Sequence, residues 1–235
     1  MTKYLIINAD DFGYTQGVSR AIVEAHRQGT VTSASLMVNT PGAAEAADLA
    51  RQHPDFGVGL HFVGTHDGQP LFDLDDPSAA EQELDRQYRR CRDLLGRQPT
   101  HLDSHEHIHL KRPALKPLFA VWAKERGLPL RGHGAVHFNG RFYGQRFDEA
   151  WRPHSAPELI SIQSLEQILR NLPEGATELA CHPGYFSAGL DSYGTERAIE
   201  LATLLDPRVP ALIRELCIQL IHFGQLPAFT AASLT

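Results

Sequence analysis

A short apolar run, Tyr4-Leu5-Ile6-Ile7-Asn8-Ala9, ends in two adjacent aspartates, Asp10 and Asp11. Neighbouring carboxylates at the end of a buried strand lose water and raise each other's pKa unless a cation or hydrogen-bond donors compensate. The pattern returns along the chain. Val58-Gly59-Leu60 ends at His61, Thr100-His101-Leu102 leads into Asp103-Ser104-His105-Glu106-His107-Ile108-His109, and Leu179-Ala180-Cys181 ends at His182. Metal-competent residues at the C-terminal ends of several strands describe an active site, not a core. They favour a fold that gathers strand ends on one face.

Between these runs the chain alternates strand and helix. A helix through Ala21, Ile22, Ala25 and His26 stops at Gly29, and a second strand spans Val31 to Val38. A helix from Pro41 to about Gln52 precedes a strand over Phe56 to Phe62. Leu84, Tyr88, Cys91 and Leu95 recur at helical spacing and end at Gly96-Arg97-Gln98-Pro99. Thr100 to Asp103, Leu128 to Arg131, Glu178 to Cys181 and Cys217 to His222 read as further strands. Helices from Pro113 to Gly127, Ser164 to Leu172 and Thr195 to Leu205 separate them. Such repeats imply parallel strands in right-handed units. The expectation is an α/β fold of one domain over 1–235, a distorted seven-stranded TIM-like (β/α) barrel. An irregular loop at about 132–157 is expected to be functional or mobile. An open doubly wound sheet competes, but its single crevice poorly explains four polar strand ends, and no GxGxxG follows the first strand.

Composition narrows the function. Apolar residues make up 42% of the chain, enough for a sizeable core. The net charge of −6 comes without a basic block, so nucleic acid is not an expected partner. No stretch approaches the roughly 18 to 20 apolar residues of a membrane span. The first residues lack a secretory h-region. Cys91, Cys181 and Cys217 are odd in number and far apart, as expected of reduced thiols in a cytoplasmic enzyme.

Asn8-Ala9-Asp10-Asp11-Phe12-Gly13, Gly59-Leu60-His61-Phe62, Pro99-Thr100-His101-Leu102-Asp103-Ser104-His105 and Cys181-His182-Pro183-Gly184 together resemble the successive motifs of the YdjC-like carbohydrate deacetylases. That family includes chitooligosaccharide and hopanoid-associated deacetylases. The resemblance runs in order from residue 4 to about residue 221. It implies a barrel related to polysaccharide deacetylases, a divalent metal, and hydrolysis of an N-acetyl group from a sugar. Mapped onto the matching positions, it implies Asp11, His61 and His105 as metal ligands, and Asp10 as the neighbouring acid/base carboxylate. Two features depart from the pattern. The segment from Gly64 to Pro77 is short, and Glu106 stands where many relatives carry histidine. Both bear on which sugar is taken.

The chemistry agrees on its own terms. Two imidazoles and a carboxylate leave coordination positions open, as a catalytic metal requires. The set suits zinc, and magnesium, cobalt or manganese are also compatible with it. One carboxylate can bind metal while its neighbour takes a proton from water. Amide cleavage also needs an acid to protonate nitrogen, and His182 is the candidate. Asp103 is read as orienting a ligand histidine. His107 and His109 are read as substrate contacts or as supports behind the metal ligands, His101 as structural, and Cys181 as a small buried apolar residue. Arg141, Phe142, Tyr143, Arg146 and Trp151 form either an aromatic and cationic lid over a sugar or a homodimer contact.

The bland alternatives explain less. As a helix cap Asp11 would be accounted for and Asp10 would not. A phosphoesterase on the same barrel would want Lys or Arg beside the metal, and only Lys111 and Arg112 lie near a motif. A non-catalytic glycan-binding barrel has no chemical need for the second carboxylate.

Overall fold

The computed structural model describes residues 2–66, 68–186 and 192–226. Its strands are β1 (Lys3–Phe12), β2 (Ser33–Leu36), β3 (Gly57–Phe62), β4 (Thr65–His66), β5 (Gln69–Pro70), β6 (Leu102–Ser104), β7 (His137–Asn139), β8 (Gln145–Phe147), β9 (Pro153–Ser155), β10 (Gly175–Cys181) and β11 (Ile218–Leu220). The helices are α1 (Gln16–Arg27), α2 (Ala43–Arg51), α3 (Pro77–Leu95), α4 (Ile108–Lys111), α5 (Leu115–Glu125), α6 (Ile162–Arg170), α7 (Gly194–Leu204) and α8 (Arg208–Glu215). Local chemistry sets several helix ends. Thr15 caps α1 by accepting from the Val18 N–H, and Asp76 caps α3 ahead of Pro77. Gly96 closes α3 in the left-handed conformation.

Seven strands form one parallel sheet in the order β6-β3-β2-β1-β10-β7, with β11 pairing the first residues of β1. Among the described residues no ladder joins β7 back to the β6 side, so the sheet is not the closed seven-stranded barrel expected. The expected strand at Leu128 to Arg131 contributes a single bridge, Leu102 to Leu130, and β7 takes the seventh place. The sheet is nonetheless strongly rolled. Arg131 touches both Asp103 on β6 and Glu178 on β10, although three strands lie between them in the sheet.

Alternation along the strands separates core from site. On β1, Leu5, Ile7 and Ala9 join the large cluster with α1 residues Val18, Ala21 and Ile22. Ile6 faces the other way, into a small plug with Ile221, Phe223 and Leu226. Above that plug the inner positions turn polar, with Asn8 and then Asp10, both buried. On β3, Val58, Leu60 and Phe62 face the helices, and the inward set is Gly57, Gly59 and His61. Gly59 is required by packing: a Cβ there would lie 2.4 Å from the His101 ring.

Candidate metal centre and its arginine network

Two adjacent residues on a regular strand point to opposite faces. A register shift between Ala9 and Phe12 in the β1–β2 ladder breaks that rule, and Asp11 takes φ +64°. An aspartate in the left-handed region is uncommon and strained, and a bulge of this kind re-aims a side chain. Both carboxylates therefore serve one cavity, although with different partners.

Asp11 Oδ1 lies 3.4 Å from His61 Nε2 and 3.2 Å from His105 Nδ1. It is buried and has no hydrogen-bond partner, while Oδ2 accepts from Arg197 Nη2 at 2.7 Å. His61 Nδ1 donates to Asp103 Oδ1 at 2.7 Å, which turns Nε2 toward Asp11. A buried carboxylate oxygen facing two imidazole nitrogens at this range fits a divalent cation, and Asp11, His61 and His105 lie close enough to share one. A histidine oriented by a carboxylate on its far nitrogen is the usual support for such a ligand. His105 starts a one-turn 3-10 helix (His105–His107) directly after β6, and there Glu106 and His107 both take φ +54°. The strand thus stops at Ser104, close to the expected end at Asp103.

Electrostatics point the same way. Burial alone would depress the His61 pKa, but Asp103, Asp11 and Asp10 raise it to about 10. Burial would raise Asp11, yet Arg197 and the two histidines hold it well below the ordinary carboxylate range. The pocket attracts positive charge.

Asp10 turns from this trio to Arg131. Nη1 donates to Oδ2 at 2.7 Å and Nη2 to Oδ1 at 2.6 Å, the paired geometry that makes Arg–carboxylate contacts strong. The same guanidinium reaches Asp103 Oδ2 at 2.8 Å and, through Nε, Glu178 Oε1 at 2.7 Å. Burial works to raise Asp10, but the Arg131 charge and hydrogen bonds leave it below its ordinary value. Glu178 is pushed by burial to about 7 despite Arg131. Asn8 Nδ2 donates to Asp10 Oδ1 at 2.9 Å and to Ser35 Oγ at 2.8 Å, and Ser35 donates to Asp103 Oδ2 at 2.6 Å. His101 completes the inner layer at Ser35 and is held by burial to about 3, hence neutral. Arg131, Arg197, Glu178, Asn8 and Ser35 were not singled out in the sequence. Asn8 lay inside the first motif, and Arg131 and Glu178 marked the ends of expected strands.

His182 follows β10 with Nε2 3.8 Å from Asp10 Oδ2 and Nδ1 4.0 Å from Glu200 Oε1. Burial lowers its pKa, and Asp10 and Asp11 oppose that shift. Glu200 accepts from the His182 backbone N–H and from Tyr193 Oη, and burial raises it to about 8. The Tyr143 ring stands edge-on to His182 at 5.3 Å. His107 packs edge-on to Phe138 at 5.4 Å, its buried Nδ1 has no hydrogen-bond partner, and burial takes it to about 3.

Two expected substrate contacts are placed elsewhere. His109 is fully buried, with Nδ1 2.6 Å from Ser104 Oγ and Nε2 donating to the Arg131 carbonyl at 3.2 Å. Both nitrogens are occupied, so its position supports the Ser104–Arg131 region and not a ligand. Phe142 is fully buried in the main core, because the chain turns it inward while Tyr143 faces the site.

The family model described as YdjC-like protein matches residues 4–215. A chitooligosaccharide deacetylase of Serratia marcescens is 34% identical, with 92% of this chain and 96% of that protein covered. A carbohydrate deacetylase of Geobacillus stearothermophilus is 35% identical, covering 96% and 98%. Among solved structures, a putative cellobiose-phosphate cleavage protein of Enterococcus faecalis superposes with TM-score 0.78 at 26% identity, covering 96% and 99%. A family 4 carbohydrate esterase of Streptomyces lividans, at 15% identity and covering 93% and 90%, shares the fold with TM-score 0.54. The chain belongs to the YdjC-like family.

Proposed function

We propose that this protein is a metal-dependent hydrolase that removes the N-acetyl group from an amino sugar or a short oligosaccharide and releases acetate. One observation carries the reading. The buried, unpartnered Asp11 Oδ1 faces His61 and His105 while a second carboxylate, Asp10, stands beside it with a separate set of partners. The deacetylase names of the relatives supply the substrate class. Asp11, His61 and His105 would hold the divalent cation, which when bound supplies Lewis acidity to the acetyl carbonyl and to water.

The chain's own groups do the remaining work. Asp10, kept ionised by Arg131, takes a proton from the water that attacks the carbonyl carbon. Arg131 fixes the direction of that carboxylate through two hydrogen bonds. When the C–N bond breaks, its electron pair stays on nitrogen, and His182 delivers the proton that makes a neutral amine. His107 and Tyr143 stand where the sugar would lie, and Asp103 keeps the His61 ring in one tautomer.

A phosphoesterase is disfavoured in the sequence because only Lys111 and Arg112 lie near a motif, and that reason does not survive, since Arg131 and Arg197 both lie in the site. The reading still fails on charge. Arg131 is shared among Asp10, Asp103 and Glu178, and Arg197 is paired with Asp11. Acetate release from N-acetylglucosamine and its oligomers, measured with chelator and after metal re-addition, tests the proposal. Hydrolysis of a phosphate ester with no acetate release from any acetylated sugar would replace it.

A further inference from the structure

The stretch expected as an irregular loop builds the β8–β9 hairpin, and its turn is unusually constrained. Asp148 Oδ1 accepts from the Ala150 and Arg152 N–H groups at 2.9 Å each, and Oδ2 accepts from Arg152 Nε at 2.8 Å. Asp148 N donates to the Arg152 carbonyl and Trp151 N to the Asp148 carbonyl. This knot holds Trp151 at φ +57°, a conformation that is strained for a bulky residue. The strain is not offset by burial. Trp151 is 76% exposed, the most open of the large apolar side chains among the described residues.

Its ring is not isolated. Trp151 lies 6.1 Å from Phe147, which is half exposed and nearly parallel to Tyr143 at 6.5 Å. Tyr143 stacks on Tyr193 at 4.5 Å, and both stand edge-on to His182. A run of aromatic rings thus leads from the proposed acid to solvent. Its base is fixed, since Gly144 N donates to Tyr193 Oη and Gln145 Nε2 to the Ser192 carbonyl at 2.6 Å. At Gly144 a Cβ would come within 2.6 Å of Ile160 Cδ1.

We propose that Phe147 and Trp151 form a subsite for a pyranose ring lying beyond the acetylated unit, so that the enzyme selects oligosaccharides over monosaccharides. The inference rests on the deacetylase reading of the neighbouring site. The axial C–H face of a pyranose packs on an aromatic face, and its equatorial hydroxyls need polar groups around the rim. Arg146 and Arg152 on the same hairpin are exposed and provide such a rim. A turn whose backbone is already tied before binding loses little conformational entropy there when a ligand arrives. A second copy of the chain is a poorer occupant. Two side chains with a charged rim fall far short of the roughly 800 Å² per partner that a stable interface buries.

The chain has two tryptophans, and the other, Trp122, is buried with its indole N–H on Asp85. Emission changes on ligand binding therefore report Trp151. The probe is the glucosamine tetrasaccharide, a product that needs no turnover, with glucosamine as control. The tetrasaccharide should shift the wild-type emission and glucosamine should not. Trp151→Ala and Phe147→Ala should each weaken tetrasaccharide binding by calorimetry about tenfold, equivalent to about 1.4 kcal/mol. Each should lower kcat/KM on the acetylated tetrasaccharide about tenfold more than on the monosaccharide. Silent emission with an unchanged preference for chain length would overturn the subsite, as would a wild-type dimer in light scattering that Trp151→Ala dissociates. Binding that depends on Trp151 without acetate release would reject the deacetylase reading and leave the subsite standing.

Discussion

Arg131 grips Asp10 with two nitrogens, Nη1 at 2.7 Å from Oδ2 and Nη2 at 2.6 Å from Oδ1. The proposed base is thus a fixed carboxylate whose orientation depends on a residue far away in sequence. Lysine keeps the charge but cannot reproduce the fork. Arg131→Lys should retain the metal and lose turnover by about 10²-fold, within the range for a compromised acid/base group. Leaving Asp10, Asp103 and Glu178 partly unpaired should also destabilise the fold by about 3 kcal/mol. Steady-state kinetics and denaturant unfolding measure the two effects. Wild-type kcat in Arg131→Lys would remove the positioning role.

The bulge gives the adjacent aspartates different work, and the isosteric amides separate it. Asp10→Asn should keep metal and lose activity by 10² to 10⁴-fold, on the order expected when a base is removed. Asp11→Asn should lose both, because an amide oxygen is a poor substitute for a carboxylate ligand. Elemental analysis beside acetate release gives the answer. Full metal content in Asp11→Asn would reject the ligand assignment.

His182 must be protonated to act as the acid. Burial holds its pKa below the ordinary value, so the basic limb of kcat/KM should fall below about pH 6.5. His182→Ala should remove that limb, keep the metal, and slow an N-acetyl sugar far more than an aryl acetate, whose leaving group needs no proton. Equal losses on both substrates would make His182 a positioning residue.

Glu200 gives a pH signature in stability. Its folded pKa, about 8, lies above the ordinary 4.5, so the folded state retains a proton that the unfolded chain gives up. The stability this provides is complete below about pH 4.5, and falls away as pH rises to about 8. Glu200→Gln does not titrate. The melting temperature of the variant relative to wild type should therefore climb from pH 5 to 8 and level off beyond. A difference that does not vary with pH would show that Glu200 is ionised throughout.

Much of the site was legible because its residues sit at strand ends in short apolar runs. The β1, β3 and β10 runs could be read from alternation and composition, and with them the placement of Asp10, His61 and His182. The bulge could not, since no local signal marks an aspartate for φ +64°. Its consequence, two carboxylates with separate partners, is a tertiary fact. Arg197 and Glu200 lie on α7 and reach the site only because that helix packs against α1. The helical pattern alone gives them the look of solvated charges. Between the two places open to His109, against substrate or behind the ligands, the sequence did not decide, because left-handed Glu106 and His107 end the strand and aim the residues after it. The barrel was expected because polar residues end four separate strands, but a strongly rolled sheet gathers those ends as well, and among the described residues the Leu128 to Arg131 run pairs at a single bridge.

The central claim is that Asp11, His61 and His105 hold one divalent cation on which deacetylation depends. Titrating zinc or magnesium into chelator-treated protein, while following acetate release from an N-acetylated oligosaccharide and the protons set free, tests it most directly. His61 is held near pKa 10 without metal, so it carries a proton at pH 7 that coordination must displace. Activity should rise linearly to one equivalent of metal with proton release in step, and His61→Ala should show neither. Full acetate release from metal-free protein, or activity that rises without any proton release, would contradict the account.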